Sequence, residues 1–372
     1  TVVSHLKKTT LNKMITYLTI LISQLFLITS CEKENIEPPN LSKKIEKKVV
    51  KITKDENIPS LELTITTENE VVDFNYNHKE VKKQNIYGIG STTKYLSAVA
   101  IFKLIENEKL KLDDKVTDYI TLTRPIAGIE NLTVKNLLNH TSGLSDYTKN
   151  PDWMKNLMNG NAPKTFEEKV FLIDGTLENS GSFSYSNTNY LFLQKIVETV
   201  TELPYNDYFN NFYASNNLSN IKMGIDENGL QAFFGQTGQA SADVSAWREY
   251  YGFDGGAFTD TKTLDSFLTK LYRDKSILKS STISEMEEWI EMEPMTIPIG
   301  NGIISEYGNG IMKLIYNGDE YIGHFGSTLK YQSMVFYNRK KNISISVATN
   351  CSGRHFNNVF FQELIPAILD EL

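Results

Sequence analysis

Ser91 and Lys94 stand three residues apart in Gly88-Ile89-Gly90-Ser91-Thr92-Thr93-Lys94, directly ahead of a strongly apolar stretch. If that stretch is a helix, the two side chains project from one face within reach of each other. A neutral lysine amine at this spacing can take the serine proton, provided burial or nearby positive charge lowers its pKa. The amino terminus of the helix would also aim backbone N–H groups at an oxyanion formed at Ser91. The spacing alone says little, because Ser-x-x-Lys recurs at Ser4, Ser276 and Ser327, and a serine opening a helix is ordinarily a cap. The glycines before Ser91 and the apolar run behind it set this copy apart.

Two more groups could join that pair. Tyr185-Ser186-Asn187 precedes a helical pattern and supplies a phenol and an amide, although Tyr-x-Asn also occurs at Tyr208 and Tyr307 and Asn187 by itself could be a cap or turn residue. His324-Phe325-Gly326 ends a strand pattern and leads into Ser327 and Thr328. Gly326 permits close backbone approach, which would let the N–H of Ser327 act as a second oxyanion donor. His140-Thr141-Ser142-Gly143 and Asp254-Gly255-Gly256 read as turns, and Cys351, after an apolar strand, as a packing thiol. The chain has no G-x-S-x-G elbow, H-E-x-x-H helix or P-loop, and nothing in it calls for a metal or organic cofactor.

The elements that must hold these residues follow from periodicity. Leu61 to Thr67 alternates apolar and polar residues and pairs, across a short polar break, with Val71 to Tyr76 as a hairpin. Helical spacing begins at Ser91 and recurs at Val134 to Leu138, Phe166 to Leu172, Tyr190 to Val200, Thr261 to Tyr272 and Ile283 to Trp289. Strand patterns return at Ile311 to Tyr316, Tyr321 to His324, Tyr331 to Tyr337 and Ile343 to Ala348, before an amphipathic stretch from Val359 to Leu372. This order predicts an α+β fold, an antiparallel sheet flanked by helices with an inserted, mainly helical lobe. The sheet lobe takes residues 58–90 and 301–372 and the helical lobe 91–300. Residue 60 would lie beside residue 345, the terminal helix would cover one sheet face, and a cleft between the lobes would hold the site.

Composition narrows the partners. Of 372 residues 40% are hydrophobic and 11% aromatic, which argues against disorder, and two cysteines rule out a disulfide scaffold or a four-thiolate zinc site. A formal net charge of -7 gives no general attraction to nucleic acid. The first 31 residues contain no Asp or Glu; Lys7, Lys8 and Lys13 lead into an apolar run from Met14 to Thr29, the layout of a secretory signal. That run is shorter than the roughly 20 apolar residues of a spanning helix. It ends in Leu27-Ile28-Thr29-Ser30-Cys31, which resembles a bacterial lipoprotein cleavage site with Cys31 as the lipidated first residue. Residues 31–57, rich in Lys and Glu and broken by Pro38 and Pro39, then read as a solvated tether, and the protein as exported and held to a membrane of the cell envelope through Cys31.

Taken in order, the three short motifs resemble those of the serine hydrolase family that groups class C beta-lactamases, D-alanyl-D-alanine carboxypeptidases and related esterases. The resemblance extends over roughly residues 58 to 372. STTKYLSAVAIFKLIENEKLKLDDKV looks like the nucleophile helix, LTVKNLLNHTSGLSDY like the turn segment and FSYSNTNYLFLQKIVETVTELPY like the tyrosine segment. GGAFTDTKTLDSFLTKL, YGNGI and the YIGHFG region look like later blocks.

The resemblance implies that Ser91 is the acylated nucleophile, Lys94 its base, and Tyr185 the residue that exchanges protons with nucleophile and leaving group. Asn187 would orient Lys94 or a substrate carbonyl. His324 would lend a hydrogen-bond donor or partial positive charge near Tyr185, and Gly326 would bring the N–H of Ser327 to the oxyanion. The substrate would be a small molecule or peptide with an ester or amide bond. Two departures stand out: Phe325 replaces a hydroxyl-bearing residue that contacts a substrate carboxylate in many relatives, and Leu329-Lys330-Tyr331 replaces a Pro-Gly-Phe turn. Phe325 also leaves room for a second reading, a binding protein on a retired hydrolase scaffold.

Overall fold

The computed structural model describes residues 40–293 and 299–372. Lys44–Leu372 form one compact unit, and of the preceding segment only the opening turn of a helix is described. The chain runs through α1 (Asn40–Asp55), β1 (Ser60–Thr66), β2 (Val71–Asn77), β3 (Tyr87–Gly88) and α2 (Thr92–Glu106). A helical middle follows: α3 (Val134–Leu138), α4 (Pro151–Met158), α5 (Phe166–Val170), α6 (Asn187–Thr201) and α7 (Tyr205–Ser215). Short strands β4 (Lys222–Met223), β5 (Phe233–Phe234), β6 (Ala242–Asp243) and β7 (Ala257–Thr259) lead to α8 (Thr261–Leu268) and α9 (Ser280–Met286). The chain then returns to the sheet as β8 (Ile290–Glu291), β9 (Ile303–Tyr307), β10 (Met312–Tyr316), β11 (Asp319–Ser327), β12 (Gln332–Asn338) and β13 (Ile343–Thr349). After β14 (Cys351–Ser352) it closes with α10 (Arg354–Asn358), a π-helical turn and α11 (Ile365–Leu369).

Alternation in β1 puts Leu61, Leu63 and Ile65 on one face, all fully buried. The polar face is covered as well: Glu62 accepts the N–H of Thr261 at 3.1 Å, Thr64 bonds the hydroxyl of Thr261 at 2.8 Å and Thr66 donates to Asp265 at 2.8 Å. The strand is therefore central, with β2 on one side and β13 on the other. Leu61 lies opposite Thr349 and Ile65 opposite Ile345, the joining of early and late strands that the element order predicted. The whole sheet is antiparallel, in the order β2-β1-β13-β12-β11-β10-β9-β8. Asn317 and Gly318, both with positive φ, turn β10 into β11 in two residues, the turn that matches strand twist.

Helix α2 lies inside the molecule. Every residue from Thr92 to Phe102 is buried, so the helix is covered all round and Lys94 goes into the interior with it. On the opposite side of the sheet the C-terminal helices pack, with Phe361 against Phe325 at 5.3 Å between ring centroids. The result is an α+β architecture with an antiparallel sheet between helical layers, as the patterns indicated.

Some elements depart from the sequence reading. Residues 40–55, expected within a solvated tether, form α1, because Ile45, Val49 and Thr53 recur at intervals of four and are fully buried. Their Lys-rich surroundings masked that stripe, and one of those lysines, Lys48, pairs with Glu371 at 2.7 Å. Helices α4 and α7 and strand β9 were not anticipated, and α6 begins three residues earlier than its apolar pattern, at Asn187 itself. Cys31 and residues 1–30, the expected lipidation site and signal, lie outside the described residues. Among the described residues no helix is long and apolar enough to cross a membrane.

Candidate active site

The start of α2 is pinned by close backbone contact with β11. Gly90 has φ +50, and a Cβ there would sit 2.7 Å from the amide nitrogen of Ser327; a Cβ on Gly326 would sit 1.8 Å from the carbonyl oxygen of Ile89. Only glycine at both places lets the two backbones meet. Ser333 Oγ donates to Ile89 O at 2.7 Å and bonds Thr92 Oγ1 at 2.7 Å, and the N–H of Ala257 on β7 donates to Thr93 Oγ1 at 3.1 Å. Ser91 is thereby fixed beside the end of β11. It stands at the N-cap position with helical dihedrals and makes no side-chain capping bond, so the alternative of a plain cap is set aside.

Instead, Ser91 Oγ lies 3.0 Å from Lys94 Nζ. The lysine is fully buried and has two further acceptors, Asn187 Oδ1 at 2.7 Å and the carbonyl oxygen of Asp254 at 2.5 Å. Burial lowers its pKa to about 8, while the nearby carboxylates of Asp254 and Asp146 pull the other way. An ammonium would donate to all three oxygens. The neutral amine keeps two N–H groups for Asn187 and Asp254 and turns its lone pair to the Ser91 hydroxyl.

Asn187, the first residue of α6, is held from behind: its Nδ2 donates to Asp146 Oδ2 at 3.1 Å and to Thr148 Oγ1 at 3.1 Å. This fixes the amide so that its oxygen faces Lys94. Tyr185 is half-buried with its hydroxyl near that of Ser91 and with Lys94 Nζ 5.0 Å from its ring centroid. Burial pushes the phenol far above its ordinary pKa, so Tyr185 stands protonated beside Ser91.

His324 corrects an expectation. It is fully buried on β11, its Nδ1 donates to the carbonyl of Phe325 at 2.5 Å and its Nε2 accepts from the Tyr307 hydroxyl at 3.1 Å. Desolvation and the nearby Lys94 hold its pKa down to about 3. It is therefore neutral, carries no positive charge toward Tyr185, and spends both ring nitrogens elsewhere; the ring centroids are 6.4 Å apart. Phe325 alternates to the other face of the sheet, where it packs on Phe336 and Phe361, so the phenyl group stays out of the cleft.

Ser327 and Thr328 line that cleft, a cavity of roughly 520 Å³ bounded also by Asn187, Tyr251, Trp153 and Arg354. The following hairpin turn is tied down by charge. Lys330 is buried, pairs with Glu227 and donates to the carbonyl of Trp247 at 3.0 Å, while Glu249 accepts the N–H of Leu329 at 3.0 Å. Burial raises the Glu249 carboxyl to about 7.

Ser91, Lys94, Tyr185 and Asn187 thus converge, with Gly326 and Ser327 against the same turn and His324 one layer behind. Sequence reading missed Asp254, whose main-chain oxygen is the third Lys94 acceptor and whose carboxylate accepts from Tyr147 at 2.5 Å. It also missed Asp146 and Thr148. A backbone acceptor leaves no mark in residue type, and the Asp254-Gly255-Gly256 turn could be read only as a turn. Cys351 is buried, with its thiol pushed up to about 12 by desolvation, in keeping with a packing role.

Comparison with known proteins bears on the family and the fold. Residues 45–362 match the family model described as Beta-lactamase. The chain is 23% identical over 342 residues to Protein flp of Staphylococcus aureus (strain N315), covering 85% of this chain and 62% of that protein, so it spans under two thirds of that relative's length. Among solved structures, D-amino acid amidase from Ochrobactrum anthropi SV3 complexed with D-phenylalanine superposes with a TM-score of 0.75 at 18% identity, over 90% of this chain and 99% of that one. The octameric penicillin-binding protein homologue from Pyrococcus abyssi gives 0.70 at 26% identity, over 83% and 73%. With the family model covering most of its length and the fold shared with these structures, the chain belongs to the beta-lactamase family.

Proposed function

We propose that the protein is a serine hydrolase that cleaves an ester or amide bond through an acyl-enzyme on Ser91. The observation that carries this reading is the 3.0 Å contact between Ser91 Oγ and a buried lysine whose pKa is lowered to about 8. Neutral Lys94 takes the Ser91 proton as Oγ attacks the substrate carbonyl carbon. The N–H groups of Ser91 and Ser327 receive the oxyanion, a contribution of about 2.7–4 kcal/mol per donor in well-studied cases. Tyr185 gives its proton to the leaving amine or alkoxide and recovers one from the Lys94 ammonium. Water then enters, loses a proton to the same base and releases the acid, restoring Ser91.

Small esters and cell-wall peptides are the substrate classes we put forward, with amides favoured by the likeness to an amidase fold. Phe325 packs away from the cleft and supplies no hydroxyl to a substrate carboxylate, so a binding protein on a retired hydrolase scaffold is the alternative reading. Anchoring through a lipid on Cys31 at the cell envelope remains part of the proposal, on the strength of the Leu27–Cys31 pattern. A fluorescent fluorophosphonate tests the core of it. Labelling of the wild type that disappears in Ser91→Ala supports the acyl-enzyme; an unlabelled wild type, with no ester or amide turned over, overturns it.

A further inference from the structure

His140 closes the segment after α3 in the left-handed region, with φ +60, uncommon for residues other than glycine although histidine enters it more readily than most, and it is fully buried. A left-handed residue outside glycine is held by what surrounds it. The surroundings here are the residues on either side of Tyr185. The carbonyl of His140 accepts the N–H of Ser184 at 2.8 Å, and its Nδ1 accepts the N–H of Ser186 at 3.3 Å. The ring itself lies on the Tyr185 ring, with centroids 4.3 Å apart and planes inclined by 32°.

The tautomer follows from the bonding. Asn189 directs its Nδ2 to His140 Nδ1 at 2.9 Å, an orientation fixed because its Oδ1 receives the Ser142 hydroxyl at 2.5 Å. Two N–H groups therefore converge on Nδ1, which must be unprotonated. The ring proton sits on Nε2, which has no hydrogen-bond partner among the described residues and faces aromatic surroundings, with the Tyr307 ring edge-on at 5.0 Å. Burial and the proximity of Lys94 keep the imidazole neutral.

We infer that His140 is the positioning residue for Tyr185, gripping the chain before and after it and stacking on its ring so that the phenol hydroxyl meets Ser91. This rests on the reading of Ser91 and Tyr185 as the acylating pair. Without the grip, the segment from Ser184 to Ser186 would lose two backbone anchors and the phenol its stacking partner, while Lys94 and its three acceptors would stay in place.

The test compares His140→Asn, a residue that tolerates φ near +60, with His140→Ala, which does not and can fail to fold for that reason alone. In otherwise native protein, His140→Asn should lower kcat for a p-nitrophenyl ester by about tenfold or more with KM little changed, as a misplaced catalytic group does. Combined with Tyr185→Phe, the same substitution should cost no more than about twofold, because the group it positions is already gone. An equal loss in both backgrounds, or no loss in the first, overturns the inference. A second readout needs no turnover: in protein carrying 13Cζ-tyrosine, the resonance that Tyr185→Phe removes should shift in His140→Asn. A resonance that stays in place overturns the inference even if the protein hydrolyses nothing, so the two readings fail separately.

Discussion

Lys94 Nζ lies 3.0 Å from Ser91 Oγ, and both are carried by the first turn of a helix that is buried along its whole amino-terminal half. The buried amine has a pKa of about 8. Below that value it is mostly ammonium and has no lone pair to offer; above it the free base predominates. Hydrolytic kcat/KM should therefore rise with pH and level off beyond about 8, followed with a chromogenic ester between about pH 6 and pH 10. Lys94→Arg, charged at every pH in that range, should lose at least about a hundredfold and show no such rise.

Asn187→Asp would place a carboxylate where a neutral amide oxygen now meets Lys94 at 2.7 Å. An adjacent negative charge favours the ammonium, so the lysine pKa should rise and the limb of the pH–rate profile should move to higher pH by about one unit or more. A profile that falls in height without moving would show that Asn187 does not set the charge state of Lys94.

Gly326→Ala forces a methyl group into the carbonyl of Ile89, 1.8 Å from the ideal Cβ. Since both partners are main chain, neither can swing aside. The variant should be destabilised by about 1–3 kcal/mol, seen as a lower midpoint in urea, and labelling at Ser91 should slow because Ser327 is displaced with the strand.

Glu249 gives a pH effect on stability rather than on rate. Its carboxyl is raised from 4.5 to about 7, chiefly by burial, so between those values the folded protein holds a proton that the unfolded chain has released. With more protons bound in the folded state, stability falls as pH rises through that window. Glu249→Gln removes the ionisation while keeping an acceptor for the Leu329 N–H. Compared with wild type, the variant should gain relative stability from about pH 5 to about pH 7, read from urea unfolding at several pH values. Parallel curves would contradict the assignment.

Much of this site was legible in the sequence because it depends on residue type at fixed spacing. Ser91 and Lys94 share a helix, Tyr185 and Asn187 bracket the entry to the next, and Gly326 precedes Ser327 at the end of a strand. What stayed hidden depends on surroundings. The charge of His324 is decided by its burial and by the carbonyl of Phe325, the side taken by Phe325 by the phase of β11, and the third acceptor of Lys94 by a peptide oxygen. Helix α1 was obscured for the opposite reason, since its abundant lysines outweighed a buried stripe of Ile45, Val49 and Thr53. His140 was read as a turn residue, and it is one; its grip on Tyr185 belongs to the tertiary fold.

The pairing of β1 with β13 sets an order of events for the nascent chain. Strands β1 and β2 can form their hairpin as soon as Asn77 has been made, yet the other edge of β1 has no partner until Ile343–Thr349 arrive, far later in the sequence. Loop closure over that distance is slow, and an open edge rich in Leu and Ile invites pairing with other chains in the meantime. A product that stops short of residue 343 cannot complete the sheet, so it should aggregate or be degraded, and the protein should gain its protease resistance only once residues 343–349 have been made.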